Sequence, residues 1–231
     1  MPTIVFVSPK GGAGKTTSAL VLAEQLAMNA DVTVIDADPN KPIQAWAAGE
    51  HTPPRLRVVA DADEENMIEV IEDAASKTPF VIVDLEGTAA KIVLLAVSQA
   101  DLVIVPTQGS QLDAKQASRA LRVIKQQEKM SRRPVPYGVL LTRTSPIIRT
   151  RTMSHINSSF AEAGINVFAT ELNEREAFRA MFSFGEPLSS LDPREVSNLD
   201  KATANAAAFA AEVIETLRAA KQEVVSEGDA L

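Results

Sequence analysis

Short apolar runs rich in β-branched residues alternate with longer stretches of helical spacing along most of this chain. Strands made almost entirely of apolar residues are buried on both faces, and strands that alternate with helices pair in parallel. The alternation therefore predicts an α/β fold of the doubly wound class, a mostly parallel sheet flanked by helices. The predicted strands are residues 3–8, 31–36, 56–60, 80–85, 101–107, 137–143 and 165–172, and the clearest helices are 15–30, 64–77 and 198–225.

The composition fits one globular domain, and we take residues 1–231 as a single unit. Within it, an apolar stripe from Leu199 to Leu217 indicates that the helix at 198–225 docks on the core. With no cysteine and two histidines, the chain offers no disulfide and no expected transition-metal site. The formal net charge is −7, so any contact with nucleic acid has to come from a local basic patch.

Residues 8–17, with the sequence SPKGGAGKTT, lie between the first predicted strand and the first helix. Glycines allow a backbone to turn its N–H groups toward phosphate oxygens, and a helix N-terminus attracts negative charge. Lys15 would place its ammonium between the terminal phosphates, and the Thr16 hydroxyl would reach a Mg²⁺ ion. The loop therefore predicts a P-loop nucleotide site.

One residue departs from the usual P-loop pattern, because Pro9 stands where the first glycine is expected. Residues 10–17, KGGAGKTT, resemble the deviant Walker A motif of the ParA/MinD family of ATPases. The resemblance implies that ATP and Mg²⁺ are the ligands and that an ATP-dependent homodimer forms, in which Lys10 reaches the phosphates of the other subunit. The nucleotide-binding residues it implies in this loop are Lys10, Gly11, Gly12, Ala13, Gly14, Lys15, Thr16 and Thr17.

Two downstream segments resemble further motifs of the same family. Residues 34–42 resemble switch I, in which Asp38 helps to position the attacking water and the Mg²⁺ shell, and residues 80–84 resemble Walker B, which ends in Asp84. Asp36 is either a second carboxylate of the site or a cap at the end of its strand. The resemblance thus gives Lys10, Lys15 and Asp38 as catalytic residues and Thr16, Asp38 and Asp84 as metal ligands.

The segment that follows Walker B departs from the family, because this chain has DLEGTAAK at 84–91. Gly87 could still supply the switch II backbone contact, whereas Glu86 is unusual there and could alter hydrolysis or coupling to a partner. Ser110 is expected to begin a helix, with Asp113 in its first turn. By its position in the family, Arg143 is expected near the adenine.

The resemblance covers most of the chain and points to short plasmid-partition ATPases and to VirC-type ATPases that aid conjugative DNA transfer. The resemblance implies slow ATP hydrolysis that a ParB-like or transfer-system protein stimulates. For the partition ATPases it also implies DNA binding without sequence preference. The expected location is the cytoplasm, at the nucleoid. The acidic end of the chain argues against membrane recruitment.

Two basic clusters are candidates for DNA contact. Lys125, Lys129, Arg132 and Arg133 form the first, and Arg143, Arg149 and Arg151 form the second. Either cluster could instead be an ordinary solvated face. Positioning of a protein cargo, or nucleotide binding without hydrolysis, are the alternative functions, whereas iron-protein reductases of this fold need cluster cysteines that are absent here.

Other conspicuous residues are expected to have structural roles. We expect Trp46 to pack in the interior, and His51 and His155 to lie on the surface. Glu174, Arg175 and Arg179 are expected to form a salt-bridged surface on a short helix.

Overall fold

The computed structural model describes residues 1–86, 90–147 and 151–228, which form seven strands and eight helices. The strands are β1 (Thr3–Phe6), β2 (Val32–Ala37), β3 (Leu56–Val59), β4 (Phe80–Leu85), β5 (Leu102–Thr107), β6 (Tyr137–Thr144) and β7 (Leu172–Asn173). The helices are α1 (Lys15–Ala27), α2 (Pro42–Ala47), α3 (Met67–Lys77), α4 (Ala90–Ser98), α5 (Gln111–Ser131), α6 (Arg151–Glu162), α7 (Glu176–Phe184) and α8 (Leu199–Gly228).

All seven strands pair in parallel in one sheet, in the order β3-β2-β4-β1-β5-β6-β7. This confirms the doubly wound α/β prediction. The central strand β1 lies between β4 and β5. Strands β2 to β4 lie on one side of β1 and strands β5 to β7 on the other, so β1 is at the switch point of the sheet. Ligands of such sheets bind in the crevice at the carboxyl ends of the strands beside this switch point.

The two faces of the sheet bury separate hydrophobic clusters because side chains alternate along each strand. Ile4 and Phe6 of β1 join the cluster formed with α1, α2, α7 and α8, whereas Val5 and Val7 face the cluster formed with α3 to α6. The predicted docking stripe of α8 is confirmed. Its members Ala202, Ala206, Phe209 and Val213 are fully buried, and Leu199 and Leu217 pack at its ends.

The prediction of a strand at 165–172 is largely wrong. Beyond a single bridge between Val139 and Val167, only Leu172–Asn173 pairs with β6. The carboxylate of Glu212 in α8 accepts hydrogen bonds from the backbone amides of Ala169 and Thr170, at 2.6 and 2.7 Å. A side chain from α8 therefore binds the amides that a longer strand would use to pair with β6.

None of the helices in the described ranges combines the length and the apolar character needed to cross a membrane.

Candidate functional site

The glycine-rich loop leaves the central strand β1 and enters α1, which puts it at the switch point of the sheet. Gly12 and Gly14 have φ angles of +76° and +92°, a left-handed conformation that residues with a side chain rarely adopt. Gly14 is also enclosed, since a Cβ there would lie 3.3 Å from the side chain of Thr142. A side chain would therefore strain the backbone at both positions, and at Gly14 it would also press against Thr142.

Two side chains from the part of the sheet that contains β5 and β6 hold the loop in place. Gln108, just after β5, donates from Nε2 to the carbonyl oxygen of Gly12 at 2.8 Å. The buried hydroxyl of Thr142 in β6 lies 2.8 Å from the carbonyl oxygen of Ala13 and 3.2 Å from that of Thr107. These contacts fix the path of the loop, and a loop held in one conformation loses less entropy on binding a ligand.

Neither Gln108 nor Thr142 was predicted as a residue of the site. A signal was present, because Gln108 directly follows an apolar run and Thr142 interrupts the end of another. The same kind of signal, a polar residue at the carboxyl end of a buried strand, identified the candidate carboxylates.

Helix α1 begins at Lys15, immediately after the loop, and its first turn closes with the amide of Ser18 donating to the Gly14 carbonyl at 2.9 Å. The first N–H groups of a helix have no partner within it, and in the described chain no side chain caps this helix. Lys15 is only 8% exposed, so its ammonium is largely removed from water. A buried cation beside a helix N-terminus suits a bound phosphate.

Asp84, the penultimate residue of β4, is fully buried and pairs in register with Asp36 of β2. Within the described residues, neither carboxylate oxygen has a hydrogen-bond partner of normal geometry. Burial raises the pKa of Asp84 to about 7, and the negative charges of Asp36 and Asp38 add to this. The nearby Thr16 hydroxyl and Lys15 ammonium lower the pKa only in part.

An uncompensated buried carboxylate is costly, and a bound cation would relieve that cost. The Thr16 hydroxyl and the Asp84 carboxylate are hard oxygen donors of the kind that Mg²⁺ prefers, and Mg²⁺ usually completes its shell with water and phosphate. The described residues contain no group of three or more His, Cys, Asp or Glu that could hold a metal ion. The oxygens of Thr16 and Asp84 fit a Mg²⁺ ion whose remaining ligands are water and phosphate.

Asp36 is a strand residue that caps a helix. Its Oδ2 accepts hydrogen bonds from the amides of Ile43 and Gln44 in α2, at 2.8 and 2.9 Å. Burial raises the pKa of Asp36, and these two bonds oppose the rise. Its Oδ1 is buried and has no hydrogen-bond partner in the described chain, so one oxygen serves as the cap and the other remains available to the site.

Asp38 lies in a tight turn between β2 and α2. Its Oδ1 accepts hydrogen bonds from the backbone amide and the side-chain amide of Asn40, at 2.8 and 3.0 Å. Lys41, with a φ of +48°, donates from Nζ to the carbonyl oxygen of Asp36 at 3.1 Å. The turn holds Asp38 at the carboxyl edge of the sheet, while its roles toward water and metal stay predictions.

Lys10 and Arg143 lie at the same edge of the sheet as the loop. Lys10 is half-buried, and Arg143 is exposed between the buried Thr142 and Thr144. Arg143 has a φ of +51° at an irregularity in the pairing of β6 with β7, which turns its side chain outward. The contact of Lys10 with a second subunit and that of Arg143 with adenine stay predictions.

Several predicted functional residues lie outside the described part of the molecule. They are Gly87, Arg149 and the side chains of Asp113 and Arg151. Glu86 is half-buried at the end of the described segment, and α5 begins directly after Ser110, as expected.

The residues expected to be structural do have structural environments. Trp46 is buried in α2 and donates from Nε1 to the carbonyl oxygen of Met181 in α7, at 3.0 Å. Arg179 forms ion pairs with Glu174 at 2.9 Å and Glu176 at 2.6 Å. Glu174 and Arg175 precede α7 rather than lying on it, which corrects the expected helix. Arg175 also does not join the ion pairs of the described chain, because its Nη2 donates to the Oδ1 of Asn173 at 3.2 Å.

The two histidines are also on the surface, as expected. The side chain of His51 is 53% exposed, with its Nε2 3.9 Å from Glu186, and His155 is exposed on α6.

Sequence comparisons show which known proteins this chain resembles. The profile of the VirC1 protein family matches residues 1–221. A protein named ParA from Rhizobium radiobacter is 37% identical over 218 residues, which cover 94% of this chain and 98% of that protein. The virC1 protein of the same species is 30% identical over 188 residues, or 78% of this chain and 80% of that protein.

Solved structures share the fold at lower identity. A variant of Cyanothece McdA in complex with ATP superposes with a TM-score of 0.69 at 20% identity, covering 89% of this chain and 96% of that one. MinD from Pyrococcus horikoshii, complexed with Mg-ADP, superposes with a TM-score of 0.69 at 18% identity, covering 92% and 95%.

Proposed function

This chain belongs to the VirC1 family, within the ParA/MinD group of ATPases, and from that premise we propose that it is an ATP-driven molecular switch. The observation that carries the proposal is the buried carboxylate of Asp84, which has no hydrogen-bond partner of normal geometry among the described residues and lies beside a glycine loop that Gln108 and Thr142 hold in place. The loop and the start of α1 suit a triphosphate, and Asp84 suits the cation that accompanies it. The fold that the chain shares with an ATP complex and an Mg-ADP complex adds support for these ligands.

In the proposed reaction, water attacks the γ-phosphate of ATP and the bond to the β-phosphate oxygen breaks. Backbone N–H groups of residues 11–16 bind the phosphate oxygens, and Lys15 offsets the charge that develops on them. Asp38 orients the attacking water. Thr16, Asp38 and Asp84 would hold the Mg²⁺, which supplies further charge neutralisation at the phosphates. We expect slow hydrolysis that a partner protein accelerates.

Binding of ATP is proposed to join two copies of the chain. Lys10 lies on the loop itself and is half-buried at the carboxyl edge of the sheet, where the phosphates of a facing subunit would come close. A lysine contributed in this way couples nucleotide content to dimer stability, because ADP lacks the phosphate that the partner's lysine would contact. ATP then favours the dimer, and hydrolysis releases it.

The dimer is proposed to act in DNA partition at the nucleoid, by non-specific contact with the DNA backbone and in response to a ParB-like protein. The relative named ParA, which spans nearly the whole chain, favours this role. A role in conjugative DNA transfer is the second candidate, which the VirC1 family match and the virC1 relative favour. Both roles use the same nucleotide switch.

The test is DNA binding by the purified chain with ATP, with ADP and without nucleotide, at two salt concentrations. The partition role predicts binding to unrelated duplexes in ATP alone, weakened by salt. A strong preference for one sequence would instead favour the transfer role. No binding under any condition, with ATP binding intact, would contradict both DNA roles and leave a switch that acts on a protein cargo.

A further inference from the structure

The outward face of α5 carries a row of basic side chains. Arg119, Arg122, Lys125 and Lys129 are exposed on the helix, and Arg132 is exposed directly after it. Successive members are three or four residues apart, so they are neighbours on the helix surface. At about 1.5 Å per residue the row from Arg119 to Arg132 is about 20 Å long. We call these five residues the α5 basic row.

Most of this positive charge has no counter-charge. Within the described chain, Arg122, Lys125, Lys129 and Arg132 form no ion pair with a carboxylate. Glu128, an acidic neighbour of Lys125 and Arg132 on α5, instead accepts a hydrogen bond at Oε1 from the amide of Val135, at 2.9 Å.

Arg133 differs from its neighbours and is left out of the row. Its guanidinium lies 3.6 Å from Asp101 and donates to the carbonyl of Ala100, so it fastens the end of α5 to the base of β5. Of the four basic residues predicted as a cluster near this helix end, Arg133 therefore has a structural role. The other three, Lys125, Lys129 and Arg132, belong to the row.

The neighbouring helices do not offset the positive charge of α5. Helix α5 packs between α4 and α6, and the sequences of these three helices contain seven Lys or Arg and three Asp or Glu, a balance of +4. The chain as a whole has a net charge of −7. Positive charge is therefore concentrated on the part of the surface that α4, α5 and α6 form.

The chemistry of the row favours a phosphate backbone over a protein or a membrane. The apolar residues of α5, such as Leu121 and Ile124, are buried in the core and cannot enter a bilayer. Protein interfaces usually have an apolar or aromatic centre, and beside this row Met130 is the exposed large hydrophobic residue among those described. Contacts to the DNA backbone need basic side chains in a line and no apolar centre.

We propose that the α5 basic row is the surface through which this protein contacts the phosphate backbone of duplex DNA. The inference rests on the proposed DNA role and names the face that performs it. Duplex DNA carries one charge per about 1.7 Å of its axis, so a row about 20 Å long can meet several phosphates. Backbone contact of this kind gives affinity without sequence preference.

The test compares two triple variants of the full chain in ATP and Mg²⁺. The first replaces three members of the row, Arg122→Gln, Lys125→Gln and Lys129→Gln. The matched control, Lys201→Gln, Arg218→Gln and Lys221→Gln, removes the same number and kinds of charge from exposed positions on α8. Binding to a labelled 30-base-pair duplex is measured by fluorescence anisotropy from 50 to 200 mM salt, and ATP binding is measured for each protein.

The row variant is expected to lose at least tenfold in DNA affinity at 100 mM salt. The plot of the logarithm of the DNA association constant against the logarithm of the salt concentration should become less steep. Its slope should decrease in magnitude by about 2 to 3, because each lost phosphate contact contributes about 0.9. The control variant should bind DNA as the wild type does, and all three proteins should bind ATP equally.

Four results would overturn the inference, and they separate it from the proposed function. If the row variant binds DNA as tightly as the wild type does, the α5 basic row is not the DNA-binding surface, although the DNA role itself stands. An equal loss in both triple variants would assign binding to net charge rather than to α5. If the wild type binds ATP but not DNA, or binds polyglutamate as tightly as the duplex, the DNA role itself fails.

Discussion

Replacing the buried Asp84 with asparagine should stabilise the ligand-free protein, and more so at high pH. The pKa of Asp84 rises from 3.8 to about 7 because burial disfavours its charged form. Below pH 4 the carboxyl group is protonated in both the folded and the unfolded chain. Between pH 4 and 7 only the folded chain keeps the proton, so the contribution of this group to the free energy of unfolding falls as the pH rises.

The size of this effect follows from the shift. A rise of about 3 pKa units lowers the free energy of unfolding by about 4 kcal/mol at pH 8. About 3 kcal/mol of this decrease occurs between pH 5 and pH 7. Asparagine has nearly the same shape and no charge to bury. The gain in unfolding free energy from Asp84→Asn should therefore be about 3 kcal/mol larger at pH 8 than at pH 5.

Urea unfolding at pH 5 and pH 8, with a chelator present and nucleotide absent, measures this difference. Asp61→Asn, at an exposed position, is the control and should change stability equally at both pH values. A gain that does not depend on pH, or a variant less stable than the wild type at pH 8, would refute the argument. With Mg²⁺ and ATP present, the wild type should gain stability that the Asp84→Asn variant largely lacks.

Three further predictions concern the loop. Lys15→Ala should abolish ATP binding, because it removes the buried cation beside the phosphates; retained affinity in calorimetry would contradict this. Lys10→Ala should bind ATP but sediment as a monomer, and a variant dimer as stable as the wild type would exclude a role across the interface. Thr142→Val should cost about 1–2 kcal/mol of stability and weaken ATP binding, because the loop carbonyl loses its donor. Thr144→Val, two residues along the same strand, should leave ATP binding unchanged, and equal losses in both variants would mean that Thr142 has no special role.

The fold could be predicted where the local sequence determines the structure. Strands such as 80–85 and 101–107 are continuous apolar runs, and both fall within one residue of the observed bounds. The strand predicted at 165–172 failed because the amides of Ala169 and Thr170 bind a carboxylate from α8, some 40 residues further along. A contact so distant in sequence has no local signature.

The same division applies to the site. The glycine loop and Lys15 are adjacent in sequence, so their pattern is visible without a structure. Gln108 and Thr142 act on this loop only because β5 and β6 follow β1 in the sheet, which the order of residues along the chain does not reveal. The basic row could be read as a cluster, but the separate role of Arg133 required its partner Asp101 to be located.

The hydrogen bond between Trp46 and Met181 gives the molecule a built-in optical reporter. Helix α2 is fixed at one end by Asp36, next to the buried Asp84, and near its other end by this indole. The chain contains one tryptophan, so fluorescence excited at the red edge of the tryptophan absorption band comes from Trp46 alone. Any shift in that emission on adding nucleotide would record, without a label, movement that passes from the end of β2 through α2 to α7.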